Sequence, residues 1–275
     1  FMHQNFSNEK DLGKGRQMPI HYGSKELNYS TISSPLGTQI PQAAGYAYGQ
    51  KLKGEGACTI CYFGEGAASE GDFHAGLNMA AVHSSPTLFF ARNNGYAIST
   101  PASEQFKGDG IAVRATGYGM KAIRVDGFDA LAVYEATKLA REYAVTNNAP
   151  VLIESIAYRL AAHSSSDDPT GYREKEEEET FRANCPVERF RKYLVKQGWL
   201  DEAADEQAKE DIKKQVLDAL KASEKVALPA LEEIVTDVYE SVPEHLQKQY
   251  EQLKQHILKY PESYPGTASR IEESK

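Results

Sequence analysis

The sequence predicts an α/β protein with a doubly wound, mostly parallel sheet and a helical C-terminal extension. Three observations lead to this prediction: short apolar runs, helical segments between them, and a change of pattern after residue 157. Short continuous apolar runs are typical of strands covered on both faces, and intervening helices indicate parallel crossovers. We therefore expect an α/β domain at residues 1–160, a loop at 161–173 and helices at 174–275.

Strands and helices are predicted to alternate after a polar, turn-rich segment at residues 1–50. The predicted strands are residues 57–63, 86–91, 122–125 and 150–156, and the predicted helices are 70–83 and 129–146. Helical spacing predicts buried faces formed by Phe73, Leu77 and Ala80–Ala81 in the first helix, and by Ala132, Ala136, Leu139 and Tyr143 in the second. The charge run at 174–179 indicates a solvated helix start, and residues 187–260 are predicted to be helical with breaks near Gly198, Pro229 and Pro243.

The composition excludes several classes of function. The 275 residues carry a formal net charge of -8, and binding to a nucleic-acid backbone depends on a surplus of Lys and Arg. No apolar run approaches the roughly 18 residues of a membrane span. The three cysteines are too few for a disulfide framework, and Cys58 and Cys61 lie within a predicted buried strand, so a reducing compartment fits. No signal peptide is visible, and the start at Phe1 indicates a fragment or a mature chain that lacks its N-terminal part.

One pair of turns predicts a cofactor site. Gly64-Glu65-Gly66 lies between a predicted strand and a predicted helix, an arrangement that suits a phosphate group. Because the Glu65 carboxylate would repel phosphate, it indicates a divalent cation between them. Asn93 and Asn94 follow the next predicted strand, and successive strand ends of a parallel sheet meet at one edge. We therefore expect Glu65, the Asn pair and the Tyr96 carbonyl to surround one Mg²⁺, which prefers oxygen ligands.

A dinucleotide-binding site is the nearest alternative interpretation of the glycine turn. Such a site needs a third glycine and an acidic residue about 20 positions further on. Ser69 occupies the third glycine position, and no Asp or Glu lies between Phe73 and Ser103. The sequence therefore disfavours this alternative.

The order of several segments resembles a known family. Gly64-Glu65-Gly66 followed by Asn93-Asn94 resembles the thiamine diphosphate-binding motif, with Glu65 where many members have Asp. Residues 16–24, 33–45, 61–72, 92–100, 126–134 and 162–173 resemble, in order, the alpha subunit of branched-chain 2-oxo acid dehydrogenase. The resemblance covers essentially the whole chain. Pyruvate dehydrogenase alpha subunits are a weaker match, chiefly at residues 16–19 and 92–95.

The resemblance implies a thiamine diphosphate-binding fold and a role for each matching site residue. Glu65, Asn94 and the Tyr96 carbonyl would hold Mg²⁺, and Gly66, Ala67 and Arg92 would face the diphosphate. Ser34 and the backbone of Leu36 would contact the aminopyrimidine, and His163 would be the catalytic residue beside cofactor and substrate. A potassium ion would be bound by Ser33, Pro35, Thr38 and Gln39.

The resemblance also implies partners and regulation. The glutamate that activates the aminopyrimidine comes from a beta subunit, so we expect an alpha2-beta2 heterotetramer and an inactive isolated chain. A lipoyl-bearing acyltransferase core would accept the acyl group. Ser164 would be phosphorylated by a regulatory kinase and dephosphorylated by a phosphatase. Two residues depart from the family pattern: Ala162 replaces a second histidine common in animal relatives, and Glu174 stands where a second phosphoserine can occur, which argues against dual phosphorylation. Neither nucleic acid nor membrane is an expected partner.

The expected function is decarboxylation of branched-chain 2-oxo acids and acyl transfer to a lipoyl group, in branched-chain amino acid catabolism. The expected location is the mitochondrial matrix, or the cytoplasm if the source is bacterial. Two alternatives stay open: a pyruvate- or acetoin-type alpha subunit, and a non-catalytic fragment that binds a beta subunit only. The second has support because the family's other diphosphate-binding residues would lie upstream of Phe1.

Overall fold

The computed structural model describes residues 1–267 and 271. Its chain divides into two compact units, one formed by Phe1–Ile32 with Glu206–Lys275 and the other by Ser33–Asp205. The limits of the two units, at residues 32/33 and 205/206, differ in position from the predicted domain boundaries at residues 160 and 174. Those boundaries stay a prediction. No helix of the described part is both long and apolar enough to cross a bilayer.

A parallel four-stranded sheet in the order β1-β2-β6-β5 forms the centre of the unit Ser33–Asp205. Its strands are β1 (Thr59–Gly64), β2 (Thr87–Asn93), β5 (Lys121–Asp126) and β6 (Val151–Ile156), and a separate hairpin pairs β3 (Tyr96–Ala97) with β4 (Thr100–Pro101). The four predicted strands are confirmed. Their apolar sequences are explained by burial, since Leu88 to Ala91 and Val151 to Ile153 are all buried.

Helices cover both faces of the sheet, which confirms the doubly wound class. In this unit they are α2 (Gln39–Lys53), α3 (Gly71–Val82), α4 (Ala102–Gln105), α5 (Ala130–Asn147), α6 (Lys175–Ala183) and α7 (Pro186–Lys196). One apolar cluster joins α2 and α3 to alternate strand residues such as Phe63, Phe89 and Leu152. The second cluster joins α5 to the strand residues between them, such as Phe90 and Ile153. Alternate side chains of a strand point to opposite faces, so the two clusters lie on opposite sides of the sheet.

Two details of the helices differ from the prediction. Helix α2 lies within the segment predicted to be irregular. It was missed because its buried face consists mainly of the small residues Ala43, Ala44 and Ala47 beside Ile40, and because Gly45 and Gly49 interrupt its sequence. Small residues allow close packing: a side chain at Gly76 of α3 would come within 2.8 Å of Ile40. In α5 the buried face is Ala136, Ala140 and Ala144, whereas the predicted core residue Leu139 is 58% exposed.

The other unit contains short N-terminal segments and the C-terminal helices. Its elements are α1 (Met2–Asn5), α8 (Glu202–Glu224, shared with the end of the first unit), α9 (Glu233–Thr236) and α10 (Glu244–Lys259). The helix breaks predicted near Gly198, Pro229 and Pro243 are confirmed. Asn8 is fully buried and donates a hydrogen bond to the Ser223 carbonyl over 2.9 Å, while Glu9 N donates to the Ala227 carbonyl over 2.8 Å. The two ends of the chain are thus hydrogen-bonded within one unit.

Candidate cofactor site

The predicted turns meet at the carboxyl edge of the sheet. Strand register pairs Gly64 with Arg92, so the Glu65 turn that follows β1 lies beside the end of β2. The Glu65 Oε2 accepts a hydrogen bond from Asn94 N over 3.0 Å. The expectation that Glu65 and Asn94 lie next to each other is therefore confirmed.

Glu65 is a buried carboxylate with an unused acceptor. The residue is 1% exposed, and its Oε1 has no hydrogen-bond partner. Burial is the main reason that the pKa of the Glu65 carboxyl is raised above its ordinary value. A buried anionic oxygen without a donor is costly, and a bound cation at this position would remove the cost.

The neighbouring turn supplies two further oxygens. Asn94 Oδ1 accepts from Tyr96 N over 3.2 Å, and the Tyr96 carbonyl accepts from Arg159 Nη1 over 3.2 Å. Within the described residues, no group of three or more His, Cys, Asp or Glu side chains could bind a metal. A cation here would accordingly be bound by the Glu65 carboxylate, the Asn94 amide oxygen and the Tyr96 carbonyl, together with oxygens of a phosphate ligand. Such a set of oxygen atoms fits Mg²⁺.

Asn93 departs from the expected arrangement. Its Nδ2 donates to Glu154 Oε1 over 2.9 Å, and its Oδ1 accepts from Gly95 N over 3.3 Å. The prediction that both asparagines converge on the Glu65 ion is wrong for Asn93, because adjacent residues at a strand end turn their side chains in different directions.

The residues expected at the diphosphate lie around the Glu65 turn. Gly66 and Ala67 begin a 3₁₀ turn, Ala67–Ser69, that separates β1 from α3, and α3 starts at Gly71, one residue after the predicted start at residue 70. A side chain at Gly66 would bring its Cβ within 2.9 Å of Ala97 Cβ, so only glycine fits this approach. Arg92 is exposed at the end of β2 and offers a planar, permanently charged donor group.

The residues expected to bind potassium also meet. Ser33 Oγ lies 2.6 Å from Thr38 Oγ1, which donates to the Pro35 carbonyl over 3.0 Å. Gln39 Nε2 donates to the Ser33 carbonyl over 2.6 Å. Gln39 Oε1 lies 3.5 Å from Thr38 Oγ1, so oxygen atoms of these residues are close together in the loop. Ser34 and Leu36 lie in the same exposed loop, and Gly37 of that loop packs against Glu70 and Asp72 at the start of α3.

His163 and Ser164 lie in the exposed loop that follows β6, as predicted. His163 N donates to Asp167 Oδ2 over 2.8 Å, and the same oxygen accepts from the Tyr172 hydroxyl over 2.7 Å. Ser164 Oγ is 3.2 Å from Ser166 Oγ. The structure thus connects His163 to the loop through its backbone.

Arg159 is a site residue that the sequence interpretation missed. Its Nη2 donates to the Tyr172 hydroxyl over 2.9 Å and to the Ile98 carbonyl over 2.6 Å, while Nη1 reaches the Tyr96 carbonyl. A chain of hydrogen bonds therefore joins the His163 loop to the turn at Tyr96. The available signal was a charged residue three positions after the end of a buried strand, where ligand sites of parallel sheets lie.

A parallel sheet with an acidic glycine turn and an asparagine turn at one edge defines an α/β class that holds a phosphate-bearing cofactor there. The family model for the dehydrogenase E1 component matches residues 1–232, and the chain belongs to this family. The family implies thiamine diphosphate as cofactor.

Curated relatives include alpha subunits of one enzyme from distant organisms. The chain is 52% identical over 266 residues to the mitochondrial 2-oxoisovalerate dehydrogenase subunit alpha of Pan troglodytes, covering 96% of this chain and 60% of that protein. Identity to the subunit alpha of Dictyostelium discoideum is 53%, covering 94% and 59%, and to subunit alpha 1 of Arabidopsis thaliana 51%, covering 96% and 56%. The chain thus spans about three fifths of the length of these relatives.

Proposed function

We propose that this chain is the cofactor-binding alpha subunit of a thiamine diphosphate-dependent dehydrogenase acting on branched-chain 2-oxo acids. The buried Glu65 carboxylate, with one oxygen bonded to Asn94 N and the other unpaired, is the observation that carries the proposal. The names of the relatives support the substrate class and a mitochondrial location. The acyl group would pass to a lipoyl group on an acyltransferase core.

Each residue of the site has a task in this proposal. Glu65, Asn94 and the Tyr96 carbonyl would hold Mg²⁺, and Arg92 would bind the diphosphate beside Gly66 and Ala67. Thiamine diphosphate, when bound, supplies the carbanion chemistry of decarboxylation. His163 would hold or release a proton near the substrate, because an imidazole can act as both a proton donor and a proton acceptor. Ser34 and the Leu36 backbone would orient the aminopyrimidine, and the loop of Ser33, Pro35, Thr38 and Gln39 would be ordered by K⁺.

A beta subunit is part of the proposal. The cofactor's aminopyrimidine needs an activating carboxylate from a beta subunit, so activity is expected of an alpha2-beta2 assembly and not of this chain alone. A kinase and a phosphatase would act on Ser164. Its exposed hydroxyl lies in the loop that Arg159 and Asp167 hold together, so a phosphate there would disturb that loop.

Glu65→Gln tests the cation site. The exchange keeps the size of the side chain and removes the charge, so the apparent Kd for Mg²⁺ at constant thiamine diphosphate should rise by about tenfold or more, at least as much as loss of an outer-shell partner costs. Calorimetry on the alpha2-beta2 complex measures it. Glu135→Gln, an exposed position on α5, is the matched control. Equal Kd values for wild type and Glu65→Gln would refute the site.

Two measurements separate the alternatives. Turnover of 2-oxoisovalerate, pyruvate and acetoin by the complex distinguishes a branched-chain enzyme from the pyruvate- or acetoin-type. Titration with thiamine diphosphate and Mg²⁺, with and without a beta subunit, distinguishes both from a non-catalytic subunit. The absence of binding in both titrations would favour the non-catalytic interpretation.

A further inference from the structure

A second buried carboxylate lies next to the cofactor turn, on the central strand β6. Glu154 is 0% exposed, and it is not one of the residues predicted to bind the cofactor or a metal ion. Its Oε1 accepts from Asn93 Nδ2 and from Ile111 N, each over 2.9 Å. Its Oε2 accepts from Ala112 N over 2.8 Å and from Arg124 Nε over 2.9 Å. A buried charge is tolerated when it is fully paired in this way.

The four donors to Glu154 come from different parts of the fold. Asn93 ends β2, Arg124 belongs to β5, and Ile111 and Ala112 begin the 3₁₀ helix Ala112–Tyr118. Gly110 lies tightly against this group, because a Cβ there would lie 2.6 Å from Glu154 Oε1 and 2.7 Å from Arg124 Nη2. Gly110 also has a φ of +72°, which favours glycine. Glu154 therefore has one fixed position.

The Asn93 side chain connects Glu154 to the turn at residues 93–96. The Asn93 side chain donates to Glu154 and accepts from Gly95 N, the residue between Asn94 and Tyr96. Gly95 has a φ of +87°, and its carbonyl accepts from Ala102 N over 2.8 Å. Asn93 is thus bonded at once to the rigid carboxylate and to the middle of the turn that faces Glu65.

We propose that Glu154 is a positioning residue that, through Asn93, fixes the turn at residues 93–96 so that Asn94 and the Tyr96 carbonyl are arranged for the cation. This inference rests on the proposed function, in which that cation is held at Glu65. Loss of an outer-shell partner typically lowers metal affinity about 10–100-fold, because the ligands are no longer held in place.

Two variants separate positioning from a purely structural role. Asn93→Ala removes the link to the turn but leaves Glu154 Oε1 bonded to Ile111 N. Arg124→Gln weakens the pairing of Glu154 on its other oxygen and leaves the Asn93 link intact. In the alpha2-beta2 complex, Asn93→Ala should raise the Kd for Mg²⁺ at constant thiamine diphosphate about tenfold or more, with little change in melting temperature. Arg124→Gln should lower the melting temperature and leave that Kd within about threefold.

Hydrogen exchange without cofactor gives an independent measurement. The Gly95 and Tyr96 amides should exchange faster in Asn93→Ala than in wild type, and at the wild-type rate in Arg124→Gln. Asn93→Ser keeps a hydroxyl acceptor for Gly95 N but is too short to reach Glu154, so it should raise the Kd for Mg²⁺ and the Tyr96 exchange rate as Asn93→Ala does, and it serves if that variant does not assemble.

The possible outcomes are distinct. An unchanged Kd and exchange rate in both Asn93 variants would overturn the inference, as would a Kd that rises in Arg124→Gln as much as in Asn93→Ala. If Glu65→Gln weakens Mg²⁺ binding while the Asn93 variants do not, only this inference fails. If Glu65→Gln has no effect either, the proposed function fails with it.

Discussion

At the residue scale, two buried glutamates show how hydrogen bonding determines the direction in which the pKa of a carboxyl group shifts. Burial raises the pKa of Glu65, whose Oε2 accepts from Asn94 N and whose Oε1 has no hydrogen-bond partner. Burial also acts to raise the pKa of Glu154, but bonds from Ala112, Asn93, Ile111 and Arg124 outweigh it, and the pKa lies below the ordinary value of 4.5. The first group is suited to receive a cation, and the second is already paired.

Glu154 should make stability depend on pH. Its pKa is lower in the folded than in the unfolded chain, so its contribution is fully present above pH 4.5 and is lost as pH falls through the folded value. Urea unfolding followed by circular dichroism should show a falling free energy of unfolding below pH 4.5, and a flatter profile in Glu154→Gln. At pH 7 that variant should be less stable by about 3–5 kcal/mol, the cost of breaking a buried pair.

The charged groups that face Glu154 define the control for this experiment. Arg124 pairs with it and also with the exposed Asp109 over 3.0 Å. Asp109→Asn keeps the Glu154 contacts and removes only an exposed partner, so its pH profile should match the wild type. A wild-type slope in Glu154→Gln would contradict the assignment of the titration to Glu154.

At the scale of elements, the loop after β6 is held by polar bonds. Arg159, Asp167 and Tyr172 connect it to the turn at Tyr96, and the Arg173 guanidinium donates to the Arg159 carbonyl. The following helix α6 contributes Glu177, whose two carboxylate oxygens each lie 3.2 Å from the Tyr96 hydroxyl. The order of this loop is therefore coupled to the cofactor turn by electrostatic contacts.

Added negative charge at Ser164 should loosen the loop. The Ser164 carbonyl accepts from Asp167 N over 3.2 Å, so a new charge would lie close to the Asp167 carboxylate that holds His163 N and Tyr172. We expect Ser164→Glu to increase proteolytic cleavage within residues 161–173 and to lower turnover by the complex. A phosphate, with about -1.5 to -2 charge, should act more strongly.

Ser164→Gln is the matched neutral variant for this prediction. It introduces an uncharged side chain of the same size as glutamate, and the loop of this variant should be cleaved at close to the wild-type rate. Equal cleavage of the Glu and Gln variants would assign the effect to size and would remove the electrostatic explanation.

At the scale of the whole molecule, one unit depends on both ends of the chain. Asn8 Nδ2 donates to the buried Ser223 carbonyl, which also accepts from Val226 N over 3.2 Å, so Asn8→Ala removes one of its two donors. We expect the free energy of unfolding to fall by about 1 kcal/mol, the net contribution of one hydrogen bond. Asn147→Ala, which removes an exposed bond to the Tyr143 carbonyl, should change it by less than about 0.5 kcal/mol. Similar losses in denaturant unfolding of the two variants would show that Asn8 does not join the ends.

The sequence by itself determined the parallel α/β class, the strand positions and the pairing of Glu65 with Asn94. These features follow from short-range patterns: continuous apolar runs mark strands buried on both faces, and parallel strands end at a common edge. The position of the turn could therefore be predicted without information on contacts between distant parts of the chain.

Only the tertiary structure decided where Asn93 points, which face of α5 is buried and that residues 39–53 form a helix. Asn93 is 61 residues from Glu154, and its direction depends on that distant carboxylate. The helix α2 is stabilised by packing against α3, which a sequence with mainly small apolar residues on the buried face does not reveal. In each case the deciding free energy comes from groups far apart in sequence, which local propensity does not encode.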